Sequence, residues 1–191
     1  MPELPELLRV AEFRALRATI RERGSLRLIV ILITFSGWAA FLLTTAALFT
    51  VSIFCLVPLT VLAAGFEVVF ALHTGVERIG RYIQVHHEPS SVGQAHWERT
   101  AERFAGASGG LSPLFPVLFL SAALLNLALG IVNSFDVGLD VASPALAPNL
   151  LELLPLAALH LGFGLRVVLA HRFAATQRPR DRAEFERLLG E

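Results

Sequence analysis

The chain contains no lysine. All 16 of its basic residues are arginine, in a length of 191. Codon bias in a GC-rich genome accounts for this without any function. The functional alternative is a need for planar, permanently charged forks that face lipid phosphate or carboxylate partners. Cysteine is reduced to Cys55 alone, which excludes an intrachain disulfide framework and a four-thiolate zinc site. Charge is scarce too. Only 17% of residues are charged and the net charge is zero, against about 25% charged in soluble domains. Zero net charge argues against a basic nucleic-acid binder.

Catalytic signatures are also missing. There is no GxSxG elbow, P-loop, GxGxxG or HExxH. Cys55 lies in an apolar stretch away from any base, which leaves it a small hydrophobe. No serine has His and Asp nearby on a plausible turn. The sequence therefore points to no catalytic residue.

What is abundant is apolar surface: 54% of residues, before the 14 glycines. Disordered chains have the opposite composition. Three apolar blocks stand out. Leu28–Leu72 carries one charge, Glu67; Leu111–Val132 carries none; Leu150–Ala170 holds Glu152, His160 and Arg166. A membrane span takes about 20 predominantly apolar residues. The second and third blocks are one span each, and the first is long enough for a helical hairpin. One tilted helix of that length would overshoot the bilayer. The turn is placed between Phe49 and Val57, with Pro58 in the first turn of the second helix.

The expected fold is all-α: a polytopic bundle of four transmembrane helices, with an amphipathic N-terminal helix and a helical cytoplasmic loop. Residues 1–27 form the cytoplasmic or interfacial helix. Residues 28–74 form the hairpin, with spans at about 28–49 and 54–74. Residues 75–111 form the cytoplasmic loop. Residues 112–171 form the second pair, with spans at about 112–133 and 150–171 around a short outer loop, 134–149. Residues 172–191 are a cytoplasmic tail. The first span is preceded by 27 residues that include six arginines, so it does not read as a cleaved signal peptide.

Arginine placement sets the orientation. Arginines fill the N-terminal segment, the central loop and the tail, and are absent from the first turn and the segment 133–149. The arginine-rich side is cytoplasmic, so both termini lie inside the cell membrane. All sixteen arginines then sit at or near that side with thirteen acids, while Asp136, Asp140 and Glu152 fall outward. The zero net charge is the sum of two opposed surfaces.

Along residues 3–23, Leu4, Leu7, Leu8, Ala11, Ala15 and Ala18 share one helical face. Arg14, Arg17 and Arg21 lie together beside it and suit anionic lipid headgroups. Glu77 and Arg81 have the spacing of a helical ion pair. Pro89 ends that helix, and Ser91 with Gln94 matches a capping box. The box opens a short helix with Trp97, Ala101, Phe104 and Ala105 on one face.

Intramembrane charge is costly, about 2.5–3.5 kcal/mol at the bilayer centre on insertion scales, so such residues pair. Glu67 and Arg166 lie at similar distances from the cytoplasmic ends of two spans that run in the same direction. They are expected to meet, directly or through water. His160 and His171 share a helical face about 16 Å apart, and His73 is roughly level with His171. Two imidazoles on facing helices can hold a haem b iron, which makes His73, His160 and His171 the candidate ligand residues. The cofactor is otherwise unspecified.

His86, His87, Glu88, His96, Glu98 and Glu102 are ligand types without a metal-binding pattern. Adjacent His86 and His87 diverge by about 100° on an α-helix. This cluster reads as a pH-sensitive surface rather than a metal site. Small residues such as Ala63, Ala64, Gly65, Gly162 and Gly164 allow close helix approach.

The expected function is that of a non-catalytic membrane subunit or scaffold. Its partners are the lipid bilayer, anionic headgroups, and another membrane protein or a second copy, with no nucleic acid. Two alternatives stand beside it. One is a small transporter or channel lined by Glu67, Arg166, His160 and Asn126. The other is a haem- or metal-binding redox protein using His73 and His171.

Overall fold

A computed structural model of the chain describes residues 4–48, 51–87, 100, 112, 114–135 and 150–190. The capping box at Ser91, the Trp97–Ala105 stripe and most of the loop 134–149 lie outside the described residues. So do positions 49 and 50 of the first turn.

Every regular element among the described residues is helical. Helix α1 runs Leu4–Leu48 and a 3-10 turn spans Ser52–Cys55. Helix α2 runs Leu56–Tyr82 and passes into a π-helical turn, Ile83–His87. Helix α3 runs Leu114–Ser134 and α4 runs Leu150–Gly190. All four α-helices are long and apolar enough to cross a membrane.

Two helices are longer than the sequence indicates. The boundary drawn at residue 27 is not a helix end, because α1 continues through Gly24 and Ser25. An interior glycine costs only about 1 kcal/mol relative to alanine, too little to break a helix flanked by arginines and leucines. The tail is likewise the second half of α4, which continues through Pro179 to Gly190. Proline removes one intrahelical hydrogen bond, so the tail needs contacts with the rest of its unit to remain helical.

The chain forms two compact units. Unit 1 draws on 1–29, 68–111 and 170–191, and unit 2 on 30–67 and 112–169.

Unit 2 has an aromatic core. Phe66 of α2 stacks on Phe115 at 5.5 Å between centroids, and meets Phe119 and Phe163 edge-on at 5.3 and 5.9 Å. Phe35 of α1 packs on Phe119 at 5.1 Å. Each such pair adds about 0.5–1.5 kcal/mol beyond simple burial. The same rings join all four helices of this unit. The Thr34 side chain packs directly against Gly65. A Cβ built there would overlap the Cβ, Oγ1 and Cγ2 of Thr34 on α1.

The outside of unit 2 is apolar. Leu32, Leu43, Leu124, Leu161 and Leu165 are all at least 60% exposed. Thr34, Thr45, Ser52, Asn126 and His160 are buried. Only 6% of the most apolar stretch of α1 is buried.

Unit 1 has a polar core. Arg81, Gln84, His73 and Gln177 are all buried, as is Ile83. Along α4 the buried positions recur as Leu156, His160, Phe163, Val167, Ala170, Ala174 and Gln177. That 3-4 alternation is the spacing of a helix seam. It continues past the end of the apolar block into the tail.

Candidate functional site

In unit 2, Arg166 Nη2 donates to Glu67 Oε2 at 2.7 Å. The Arg166 guanidinium also lies 5.7 Å from the centre of the Phe66 ring, within cation–π range. The pair is on the surface of the unit rather than in its interior: the side chains are 41% and 50% exposed.

Asn126 is fully buried inside unit 2. Its Nδ2 donates to the carbonyl of Cys55 at 2.7 Å and to His160 Nε2 at 2.9 Å. His160 Nδ1 donates to the Leu156 carbonyl at 2.7 Å. The two acceptors fix the amide orientation, because the reversed amide would set Oδ1 against a carbonyl oxygen. They also fix His160 as the neutral Nδ1–H tautomer. Both nitrogens of His160 are engaged, so neither is left for an iron.

In unit 1, His73 is buried and its Nδ1 accepts from Arg27 Nη1 at 3.3 Å. No hydrogen bond or ring contact joins His73 and His171 among the described residues. Both Nε2 of His73 and Nδ1 of His171 are buried without a hydrogen-bond partner.

Beyond the apolar part of α2, the tail half of α4 docks through polar contacts. Arg178 grips Glu77 with two bonds, Nε to Oε2 at 2.5 Å and Nη2 to Oε1 at 2.9 Å. Gln177 Nε2 donates to the Thr74 carbonyl and to Asp181, both at 2.9 Å. Arg78 lies 3.7 Å from Asp181, and Phe185 meets Tyr82 edge-on at 5.5 Å. Burial pushes the Glu77 carboxyl up, but the hydrogen bonds and charge of Arg178, helped by His73 and Arg81, hold it below the usual range. Arg81, spaced to pair with Glu77, donates to Gln84 at 2.7 Å.

The headgroup candidates Arg14, Arg17 and Arg21 line one open groove with Phe13 and Ala18. The Arg17 guanidinium sits 5.3 Å from the Phe13 ring centre.

His86 and His87 stand together in the π turn. Their ring centroids are 4.8 Å apart at 85°. Glu12, on α1, joins them. Its Oε2 is 3.5 Å from His87 Nε2, and its Oε1 accepts from the Tyr82 hydroxyl at 2.8 Å. Burial and the neighbouring His86 lower the His87 pKa, against the pull of Glu12. Burial and the bond to Glu12 raise that of Tyr82. Sequence reading missed Glu12 and Tyr82 because neither stands in a motif with the histidines. Glu88, His96, Glu98 and Glu102 lie outside the described residues.

No protein-family model, curated protein or solved structure matches the chain.

Proposed function

We propose that this chain is a non-catalytic integral membrane protein that serves as a subunit or scaffold of a larger membrane complex. It crosses the cell membrane four times, with both termini on the cytoplasmic side. The membrane reading is supported by four long apolar helices and by the exposed leucines of unit 2. Apolar patches beyond a few hundred Å² are rare on soluble monomers. The orientation rests on the arginine distribution. Arg14, Arg17 and Arg21 meet anionic headgroups from the cytoplasmic side.

The observation that carries the subunit reading is the outward Glu67–Arg166 pair. Ionisable residues at membrane depth turn inward or line an aqueous cavity. This pair is about half exposed, beside the exposed Val68 and Leu165. A polar patch on a second membrane protein, or on a second copy, covers it. The transport reading draws less support, because His160 and the Asn126 amide nitrogen are engaged with each other and with backbone carbonyls. The haem reading loses His160 for the same reason.

The test is purification from native membranes into lipid nanodiscs, followed by native mass spectrometry. A stoichiometric second chain that is lost in the Glu67→Ala/Arg166→Ala double variant is the expected result. A monodisperse monomer free of partners contradicts the proposal.

A further inference from the structure

The Glu12, His86 and His87 cluster has the donor set of a transition-metal site. Two imidazoles and one carboxylate are the protein ligands of an open zinc site, which leaves a fourth position for water. Borderline divalent ions favour these donors, whereas calcium and magnesium prefer all-oxygen sets.

The geometry fits. Zinc bonds of about 2.0–2.1 Å in a tetrahedron set ligand atoms roughly 3.3 Å apart. His87 Nε2 and Glu12 Oε2 are 3.5 Å apart. One ligand atom from each of the three residues falls within 4.8 Å of the others, so a small rotation of one side chain closes the site.

A second observation is independent of that spacing. The His87 side chain is only 5% exposed, and its Nε2 is buried with no hydrogen-bond partner. Buried polar atoms are nearly always satisfied. This one points at the carboxylate, at ion-pair distance but without a hydrogen bond. The Tyr82 hydroxyl holds the other carboxylate oxygen, which leaves Oε2 directed at His87, as the outer partners of metal ligands do. A groove lined by Glu6, Arg9, Val10, Phe13, Arg14 and His87 gives an entry path.

We propose that Glu12, His86 and His87 bind one divalent transition-metal ion of the zinc class. The ion ties the start of α1 to the π turn that ends α2. Arg9 and Arg14 line the approach and oppose a cation, so the site binds more weakly than its ligands alone would.

The test uses the full chain without an affinity tag, in detergent or nanodiscs, titrated with Co²⁺ and then with Zn²⁺ in competition. One equivalent of Co²⁺ should bind with the visible spectrum of a low-coordinate N/O site, and Zn²⁺ should displace it. His86→Gln and His87→Gln should each weaken binding at least about tenfold, and Tyr82→Phe by about tenfold. Arg9→Gln should tighten it, and His96→Gln should leave it unchanged. Because a histidine variant can misfold, the wild-type chain supplies a second readout: Zn²⁺ should protect the partly exposed His86 from acylation by diethyl pyrocarbonate, and should leave the reactivity of His171 unchanged. No Co²⁺ uptake, uptake unchanged in both histidine variants, or equal modification of His86 with and without Zn²⁺ overturns the proposal.

Discussion

Arg178 binds both carboxylate oxygens of Glu77 across 101 residues of sequence, and both side chains are less than 20% exposed. A bidentate pair of this kind fixes position as well as charge. It anchors a helix half that contains Pro179. Arg178→Ala should therefore cost about 3 kcal/mol, the scale for stranding a buried partner, and helix content should fall in the tail. Arg178→Lys keeps the charge but loses the fork, so it should recover only part of that loss. Circular dichroism and proteolysis near residue 180 read the outcome. An unchanged tail in Arg178→Ala would contradict the role.

The same contact predicts a pH dependence. The folded-state pKa of Glu77 is below its unfolded value. Its contribution is therefore complete above about pH 4.3, the unfolded value, and is lost as pH falls through the folded pKa. Arg178→Met leaves burial less opposed and moves the folded pKa up toward or past the unfolded one, so the acid-induced loss should be smaller than in wild type. A series of melting temperatures against pH checks this, and coincident curves would count against it.

Gly65 is required by the approach of Thr34. Gly65→Ala should destabilise unit 2 by about 1–3 kcal/mol, the usual cost of overpacking. Thr34→Ala in the same chain should recover part of it. Gly162→Ala, where an added Cβ meets nothing within 4 Å, should be neutral. Equal effects at Gly65 and Gly162 would refute the packing account.

Asn126 supplies two hydrogens to two buried acceptors. Asn126→Ala should cost about 1–2 kcal/mol, and Asn126→Asp should cost more, because it replaces both donors with an acceptor. Unfolding in mixed micelles ranks the two variants. The reverse order would show that the amide is not the donor.

Four apolar helices were legible in the sequence because runs of about 20 residues with almost no charge match the length of a membrane span. The extent of two of them was not. The Arg14–Arg27 segment and the Arg172–Arg187 tail are polar enough to read as separate pieces. Their continuity depends on contacts between residues distant in the chain, such as Gln177 with the Thr74 carbonyl. The Glu67–Arg166 meeting could be anticipated from equal depth, since charge in an apolar run demands a partner. Its outward exposure could not, because both flanks are apolar. The Glu12, His86 and His87 cluster was not legible, because Glu12 reaches the histidines from α1, far away in the chain.

The exposed Glu67–Arg166 pair should show weak coupling in detergent, below about 1 kcal/mol, as surface pairs do. A double-mutant cycle in detergent and in the native membrane separates the two environments. Coupling that is stronger in the membrane agrees with a covering partner. Full additivity in both would mean that the two residues do not act as a pair.

The central claim is that four spans place both termini on the arginine-rich, cytoplasmic side. Single cysteines introduced into a Cys55→Ala background, labelled with an impermeant maleimide in sealed vesicles of known orientation, test it most directly. Thr50→Cys and Ser143→Cys should label only from the outside, and Ser91→Cys and Ala183→Cys only from the inside. A reversed pattern, labelling of one site from both sides, or recovery of the chain in the soluble fraction would contradict the account.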